Sequence, residues 1–546
     1  MRAELSRAET GRRRSSYFVG IVACAVALVS GCDSSAESER PETEMPGVDR
    51  TGSAEVAAWD STYLGQVTAA MAEAHPGESG FLLLDRGADA LSWRLIAADA
   101  AEKTIDAQYF LWKDDAAGKV MMQRFMAAAE RGVRVRVLID DSMTDSDPQY
   151  LARFDAHPNV EVRLYKPFGP RHKSLVMRWV DYLVDLPTMN RRMHNKLLLV
   201  DGSVAFVGGR NIANEYFEYP DPFVFRSRDL LAVGPIARTG AEAFELYWDS
   251  DWTRPITDAV KPVPTPEDGV AHKQALDAFA RDSASYPPGF YDDPGSVDEE
   301  MQRLESSLLW GVGKLLVDAV PEKDGKPQTH AELDVVGTTL LQVAAEAQEQ
   351  VHVQSAYLIL VDAGFEELAD LTNRGVAVIL STNSMASNNH LTAYEGYRKQ
   401  RHRLLETGGV LYEMRSDAAE ERALFTDAQL DGNGMEFGLH AKTMVFDRRV
   451  TFVGSFNVDP RSVNLNTEMG LLVESEELAE QIASSIENDV AGENSWQVRL
   501  TEAGKLEWIT LKDGVITSRT ETEPQTKALR RAEAWLLQAI PDDPQL

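Results

Sequence analysis

His194 and Lys196 stand two residues apart, with Asp201 five further on; His440, Lys442 and Asp447 repeat that spacing. Each set runs into a glycine turn and an asparagine, Gly208-Gly209-Arg210-Asn211 and Gly454-Ser455-Phe456-Asn457, and in both the asparagine lies 17 residues after the histidine. Histidine, with an ordinary pKa of about 6.5, serves as nucleophile or proton donor near neutral pH. Two imidazoles can therefore divide a phosphodiester transfer: one attacks phosphorus and the other protonates the leaving alkoxide. Lys196 and Lys442 would neutralise charge building on the non-bridging oxygens. The amides of Asn211 and Asn457 would donate to those oxygens, with Ser455 as a third phosphate contact. Asp201 and Asp447 complete the catalytic motif, but at strand ends before turns they read as supporting groups rather than phosphate contacts. No HExxH pair or cysteine cluster accompanies the motifs, and the set calls for no metal or other cofactor.

A catalytic histidine generally needs a carboxylate to orient it. Glu468 lies 28 residues after His440, and Asp229 lies 35 after His194. Both open strand-like runs, and both are read as histidine-orienting.

The motifs sit inside a larger repeat. Thr104–Tyr109 and Gln350–Ser355 are strand-like runs with Gln108 and Gln354 in register. A helical stretch follows each and stops at Arg131-Gly132 or Arg374-Gly375, before a second β-branched run. Met193–Asp201 reads as a strand whose alternation puts His194, Lys196, Leu198 and Val200 on one face and Asn195 on the other. His440 and Lys442 follow the same rule, and residues 204–207 and 450–453 read as the next strands. Strands alternating with helices imply an α/β fold. The expected architecture is two similar domains, residues 58–260 and 326–496, each a mixed β-sheet flanked by helices, with one active site at their interface. Residues 261–325, rich in Pro, Asp and Ser, read as an inter-domain connection with some helix. Residues 497–546 form a C-terminal extension with a β-like run at Leu506–Leu511 and a final helix at about 526–539.

The N-terminus reads as an export signal. Arg2, Arg7 and Arg12 to Arg14 precede an apolar stretch, Tyr17–Val29, that is short for a membrane span, which needs about 20 residues. It ends in Val29-Ser30-Gly31-Cys32, which resembles the bacterial lipoprotein signal: residues 1–31 removed, Cys32 lipidated, and residues 32–57 a flexible tether. The other cysteine, Cys24, leaves with the signal, so no internal disulfide is expected. Losing five basic and two acidic side chains takes the net charge from −31 to −34. Such acidity argues against a general nucleic-acid binder, and it makes lipid, not charge, the expected means of membrane attachment. Arg398, Lys399, Arg401, His402 and Arg403 are the exception, a basic cluster read as a second phosphate site or a solvated helix face.

The paired HxKx4D motifs resemble those of the phospholipase D superfamily. Ile105–Trp112, Asn190–Lys196, Val207–Ile212, Thr382–Ser387, Arg401–Tyr412 and Val453–Ser462 are similar to bacterial cardiolipin synthases of the C type; Asp542-Asp543-Pro544 departs from that pattern. The resemblance implies two phospholipase D-like domains, a phosphohistidine intermediate on His194, His440 as the acid, and no metal. It also implies phospholipid partners: phosphatidylglycerol, with a second phospholipid such as phosphatidylethanolamine. A hydrolase of the same superfamily, phospholipase or nuclease, is the alternative, because the motif does not distinguish alcohol from water as the final acceptor. A non-catalytic envelope protein is disfavoured by intact motifs in both halves. The lipoprotein-like start, with Asp33 after Cys32, points to the bacterial envelope at the periplasmic face of the inner membrane.

Overall fold

The computed structural model describes residues 59–143, 148–167, 191–290, 295–321, 334–526 and 530–531. The export signal, Cys32, the tether and nearly all of the final helix lie outside the described residues. The first half contributes β1 (Ser79–Leu84), β2 (Thr104–Tyr109), β3 (Arg134–Asp140), β4 (Val160–Tyr165), β5 (Leu197–Val200), β6 (Val204–Gly208), β7 (Phe223–Arg226), β8 (Asp229–Val233) and β9 (Thr253–Pro255). Across the sheet they run β9-β4-β3-β2-β5-β6-β8-β1, with β4, β3 and β2 parallel and the other neighbours antiparallel.

The second half repeats this plan. Its strands are β10 (Leu309–Val317), β11 (Gln350–Gln354), β12 (Ala377–Asn383), β13 (Val410–Met414), β14 (Glu436–Leu439), β15 (Thr443–Phe446), β16 (Val450–Gly454) and β17 (Met469–Glu474). They run β13-β12-β11-β15-β16-β17-β10, again with three parallel strands first. β18 (Ser495–Leu500), β19 (Leu506–Lys512) and β20 (Val515–Thr520) extend the β13 edge. β10 pairs with β17 and also with β1, joining the half-sheets into one, while β7 and β14 form a separate parallel pair between the halves. The connecting segment is thus richer than its composition suggests, since β10 occupies the place in the second half that β1 holds in the first.

Each central parallel strand has one apolar face, such as Ile105, Ala107 and Tyr109 of β2, and a second face whose polar side chains are buried too. All six residues of β2 are buried. In the helix Glu476–Asp489, Leu478, Ala479, Ile482, Ala483 and Ile486 make one buried stripe, the 3.6-residue period of a core-facing helix. That stripe and the helix Pro235–Trp248 belong to a single apolar cluster with Leu197, Leu199, Val207 and Leu230 of the first half and Val445, Val453, Leu471 and Val473 of the second. A shared core therefore fixes the two motifs against each other. Where the motif hairpins meet the next strand, a Cβ on Gly208 would fall 2.2 Å from Asp229 Oδ1, and one on Gly454 2.5 Å from the Met469 carbonyl oxygen. Only glycine permits that approach.

One expectation is corrected here. The motif strands begin after the lysines, at Leu197 and Thr443, and the histidines stand just before them. The reason is pairing across the halves. His194 N–H donates to the Thr467 carbonyl at 2.9 Å, while His440 N–H and Ala441 N–H donate to the Arg226 carbonyl at 2.7 and 3.0 Å. Each histidine backbone is thereby held by the opposite half.

Candidate active site

His194, Lys196, His440 and Lys442 are all buried, at 8%, 2%, 7% and 1% relative exposure. Each lysine folds back on its own motif: Lys196 Nζ donates to the His194 carbonyl at 2.6 Å, and Lys442 Nζ to the His440 carbonyl at 2.8 Å. Aromatic rings wall the imidazoles. Phe110 meets His194 edge-on at 5.0 Å, and Tyr216 and Phe225 lie 5.0 and 4.9 Å from His440.

The two imidazoles differ in their partners. Glu468 takes His194 Nδ1 at 2.8 and 3.1 Å, reaching it from the other half rather than serving His440. A carboxylate can only accept there, so the ring proton sits on Nδ1 and Nε2 keeps its lone pair. His440 Nδ1 has Lys442 Nζ at 3.2 Å. While Lys442 holds its charge it can only donate, which leaves the His440 ring proton on Nε2. One ring offers a lone pair where the other offers a proton.

Glu468 is itself anchored. Ser455 Oγ donates to it at 2.5 Å and Ser462 Oγ at 2.8 Å. Ser455 is therefore not a free phosphate contact; its hydroxyl is used to position the carboxylate and to accept from Met469 N–H at 2.9 Å. Asp229 meets no histidine. Its carboxylate accepts from Arg94 Nη2 at 2.7 Å and from the Arg210 N–H at 3.1 Å, and Arg210 Nη1 lies 3.4 Å away. Sheet register explains the difference: Gly208 pairs with Asp229, but Gly454 pairs with Gly470. The counterpart of Asp229 is thus Gly470, and the counterpart of Glu468 is Ser227. Position at the start of a strand-like run hides this, because the loops before the two strands differ in length. Ser227 Oγ is buried with no hydrogen-bond partner, as are the side-chain oxygens of Asn211 and Asn457. Asn211 Nδ2 donates to the Tyr216 hydroxyl at 3.1 Å. Such unpartnered polar atoms in a buried site await a ligand or water.

The motif aspartates serve the scaffold. Asp201 accepts the backbone N–H groups of Glu102, Lys103 and Thr104 at 2.8–2.9 Å. Asp447 accepts those of Gln348, Glu349 and Gln350 at 2.8–2.9 Å. Each sits in the left-handed region, at φ 48° and 51°, and ties down the start of β2 or β11. The basic cluster is likewise not one phosphate site. Arg401 is buried on Glu413 and Glu523 at 2.9 and 2.8 Å, Arg398 pairs with Glu395 at 2.8 Å, and Arg403 stacks on Phe365. Asn195 points away from the site, as alternation requires, and accepts from Thr467 Oγ1 at 3.1 Å across the halves.

Burial and crowding of like charge shape the site's acidities. Burial lowers the His194 pKa to about 4, against the pull of Glu468. Burial lowers Lys196 to about 7. Burial and neighbouring lysines drive His440 and Lys442 well below their ordinary values. Burial opposes ionisation of Glu468, yet His194 and Lys196 hold its carboxyl below the usual range. These cationic groups are costly without an anion between them. Among the described residues, no group of three or more His, Cys, Asp or Glu is placed to hold a metal ion.

Residues 95–229 and 340–490 match the family described as cardiolipin synthase, PLD-like domain. The chain is 33% identical over 484 residues to cardiolipin synthase C of Escherichia coli K12, covering 86% of this chain and 96% of that one. It is 28% identical over 476 residues to an uncharacterized protein of Helicobacter pylori, covering 87% and 91%. Among solved structures, phosphatidylserine synthase of Haemophilus influenzae aligns with a TM-score of 0.48 at 14% identity, over 78% of this chain and 90% of that one.

Proposed function

Because the chain belongs to the cardiolipin synthase family of phospholipase D-like proteins, we propose that it is a phosphatidyltransferase that makes cardiolipin from phosphatidylglycerol and a second phospholipid. The observation that carries the reading is the opposite character of the two Nδ1 partners, the Glu468 carboxylate on His194 and the Lys442 amine on His440. His194 Nε2 attacks phosphorus, and the P–O bond to the head-group alcohol breaks. The phosphodiester anion offsets the repulsion that Lys442 and Lys196 exert on His440 and lifts it toward its protonated form. His440 then gives its proton to the departing alkoxide. The terminal hydroxyl of phosphatidylglycerol next gives its proton to His440 and attacks phosphorus, the P–N bond breaks, and His194 returns with cardiolipin as product. Lys196, Lys442, Asn211 and Asn457 face the non-bridging oxygens throughout. No cofactor enters this scheme.

Lipidation of Cys32 at the periplasmic face of the inner membrane belongs to the same reading. It rests on the sequence before Cys32, and among the described residues no helix is long and apolar enough to cross a membrane. The test is purified lipidated protein with labelled phosphatidylglycerol, with and without phosphatidylethanolamine, in EDTA. Cardiolipin is the expected product. Phosphatidic acid as sole product would establish the hydrolase alternative instead, and loss of turnover in EDTA would overturn the metal-free scheme. His194→Ala and His440→Ala should each abolish turnover; full activity in either refutes the two-histidine division.

A further inference from the structure

The second half holds an apolar hollow between its helices and its sheet. A cavity of about 530 Å³ lies between the helices Val335–Glu346 and Asp362–Asn373 and the sheet beneath them. Its wall is nearly all aliphatic and aromatic, and includes Leu340, Leu358, Leu368, Leu380, Met444 and Phe456. Phe456 and Val458, which flank Asn457 in the chain, and Asp459 belong to the wall, so the cavity and the catalytic centre share this one segment.

The repeat shows that the hollow is not imposed by the fold. Leu358 makes an isolated parallel bridge to Val458, and Trp112 makes the same bridge to Ile212. Val458 and Ile212 each lie 18 residues after their motif histidine, so Leu358 and Trp112 are counterparts. Leu368 lies six residues before its Arg-Gly helix stop, as Phe125 does. In the first half Trp112 and Phe125 are fully buried and pack edge to face at 5.9 Å. Two aromatic rings fill what two leucines leave open.

We infer that this cavity is the seat of one fatty acyl chain of the phospholipid whose phosphate is bound at the two histidines. The inference deepens the proposed function and rests on it. A methylene takes about the room of a water molecule, ~30 Å³, so the cavity holds roughly 17 such groups, one long chain and not two. An apolar volume of this size is within the range of small-molecule sites. At its site end stand Asp459 and the two chain neighbours of Asn457, and Leu341, 37% exposed, lines it on the helix side. A lipid held there keeps its phosphate among the lysines and its chain out of water.

The test uses the full-length lipidated protein. Phosphatidylglycerol bearing a diazirine at the end of one acyl chain is photo-activated on the protein, and the labelled peptides are identified by mass spectrometry. In parallel, dipalmitoyl and dibutyryl phosphatidylglycerol compete in one detergent micelle, and their products are weighed against each other. Cross-links should fall within 335–346, 362–373 or 377–383. Leu358→Trp with Leu368→Phe, which imports the first-half pair, should lower the long-to-short product ratio tenfold or more. Gly364→Phe, entering from the opposite helix, should do the same, with far-UV circular dichroism recording that each variant folds. Normal turnover with cross-links elsewhere, or folded variants with an unchanged ratio, overturns the acyl site alone. No phosphatidyl transfer or release by the unaltered protein from either lipid counts instead against the proposed function.

Discussion

Glu468→Gln separates charge from shape at the centre of the site. Glutamine keeps the volume and one oxygen, which can accept from His194 Nδ1 and from Ser455, while Ser462, which donates to the other carboxylate oxygen, must turn its hydroxyl to accept from the new amide N–H. What it loses is a full negative charge 2.8 Å from the ring nitrogen. At an effective dielectric of about 20, two unit charges 4 Å apart attract by roughly 4 kcal/mol. His194 gains charge only as it bonds to phosphorus, so about half of that, ~2 kcal/mol, is felt in the transition state. Loss of the fixed Nδ1–H tautomer adds to it, giving about 2–4 kcal/mol, or roughly 30- to 1,000-fold in kcat. Single-turnover assays on labelled phosphatidylglycerol, quenched in alkali to preserve the phosphohistidine, read this on the first step. The His194 pKa should fall further, because the carboxylate that raises it is gone. A first step within threefold of the parent would refute the claim that Glu468 supports the charge on His194.

The pH dependence of kcat/KM, which reports the free enzyme, should rise through about 4 as His194 loses its proton, fall as His440, held well below its ordinary value, loses the proton it must donate, and fall again through about 7 as Lys196 loses its charge; a profile flat to pH 9 would remove both the His440 proton and the Lys196 charge from the requirements. Asp447→Ala should lower stability by about 1–3 kcal/mol by unpairing three backbone N–H groups, yet leave kcat within a few-fold at temperatures where the protein is folded; a large kcat loss without a melting shift would return Asp447 to the chemistry. Ser227→Asp puts a carboxylate where the repeat places Glu468, beside His440. It should raise the His440 pKa and move the pH optimum upward, and an unshifted profile would show that Ser227 does not face the ring.

Much of the site was legible because the chain states it twice. The matched spacing of His194, Lys196 and Asn211 with His440, Lys442 and Asn457 survives any reading of the fold, and alternation correctly turned Asn195 away. The strand after each motif was legible from β-branched composition, as were β2, β11 and the Arg-Gly stops. The misreadings share one cause. Asp229 was matched to Glu468 because both open strand-like runs, while sheet register makes Ser227 the counterpart of Glu468. Ser455 looked available to phosphate until its hydroxyl proved to hold Glu468. The basic run at 398–403 looked like one surface because sequence shows neighbours, whereas a helix sends Arg401 into the core and Arg398 to Glu395.

Sequence by itself determined the groups that do the chemistry, their duplication, and the α/β elements beneath them, since local spacing and periodicity are properties of the chain alone. Only tertiary structure decided which carboxylate serves which histidine, because Glu468 reaches His194 over a separation of 274 residues. That contact depends on two strand edges meeting, with His194 N–H on the Thr467 carbonyl and His440 N–H on that of Arg226. The asymmetry between the two imidazoles is therefore a property of the interface between the halves, which no motif carries.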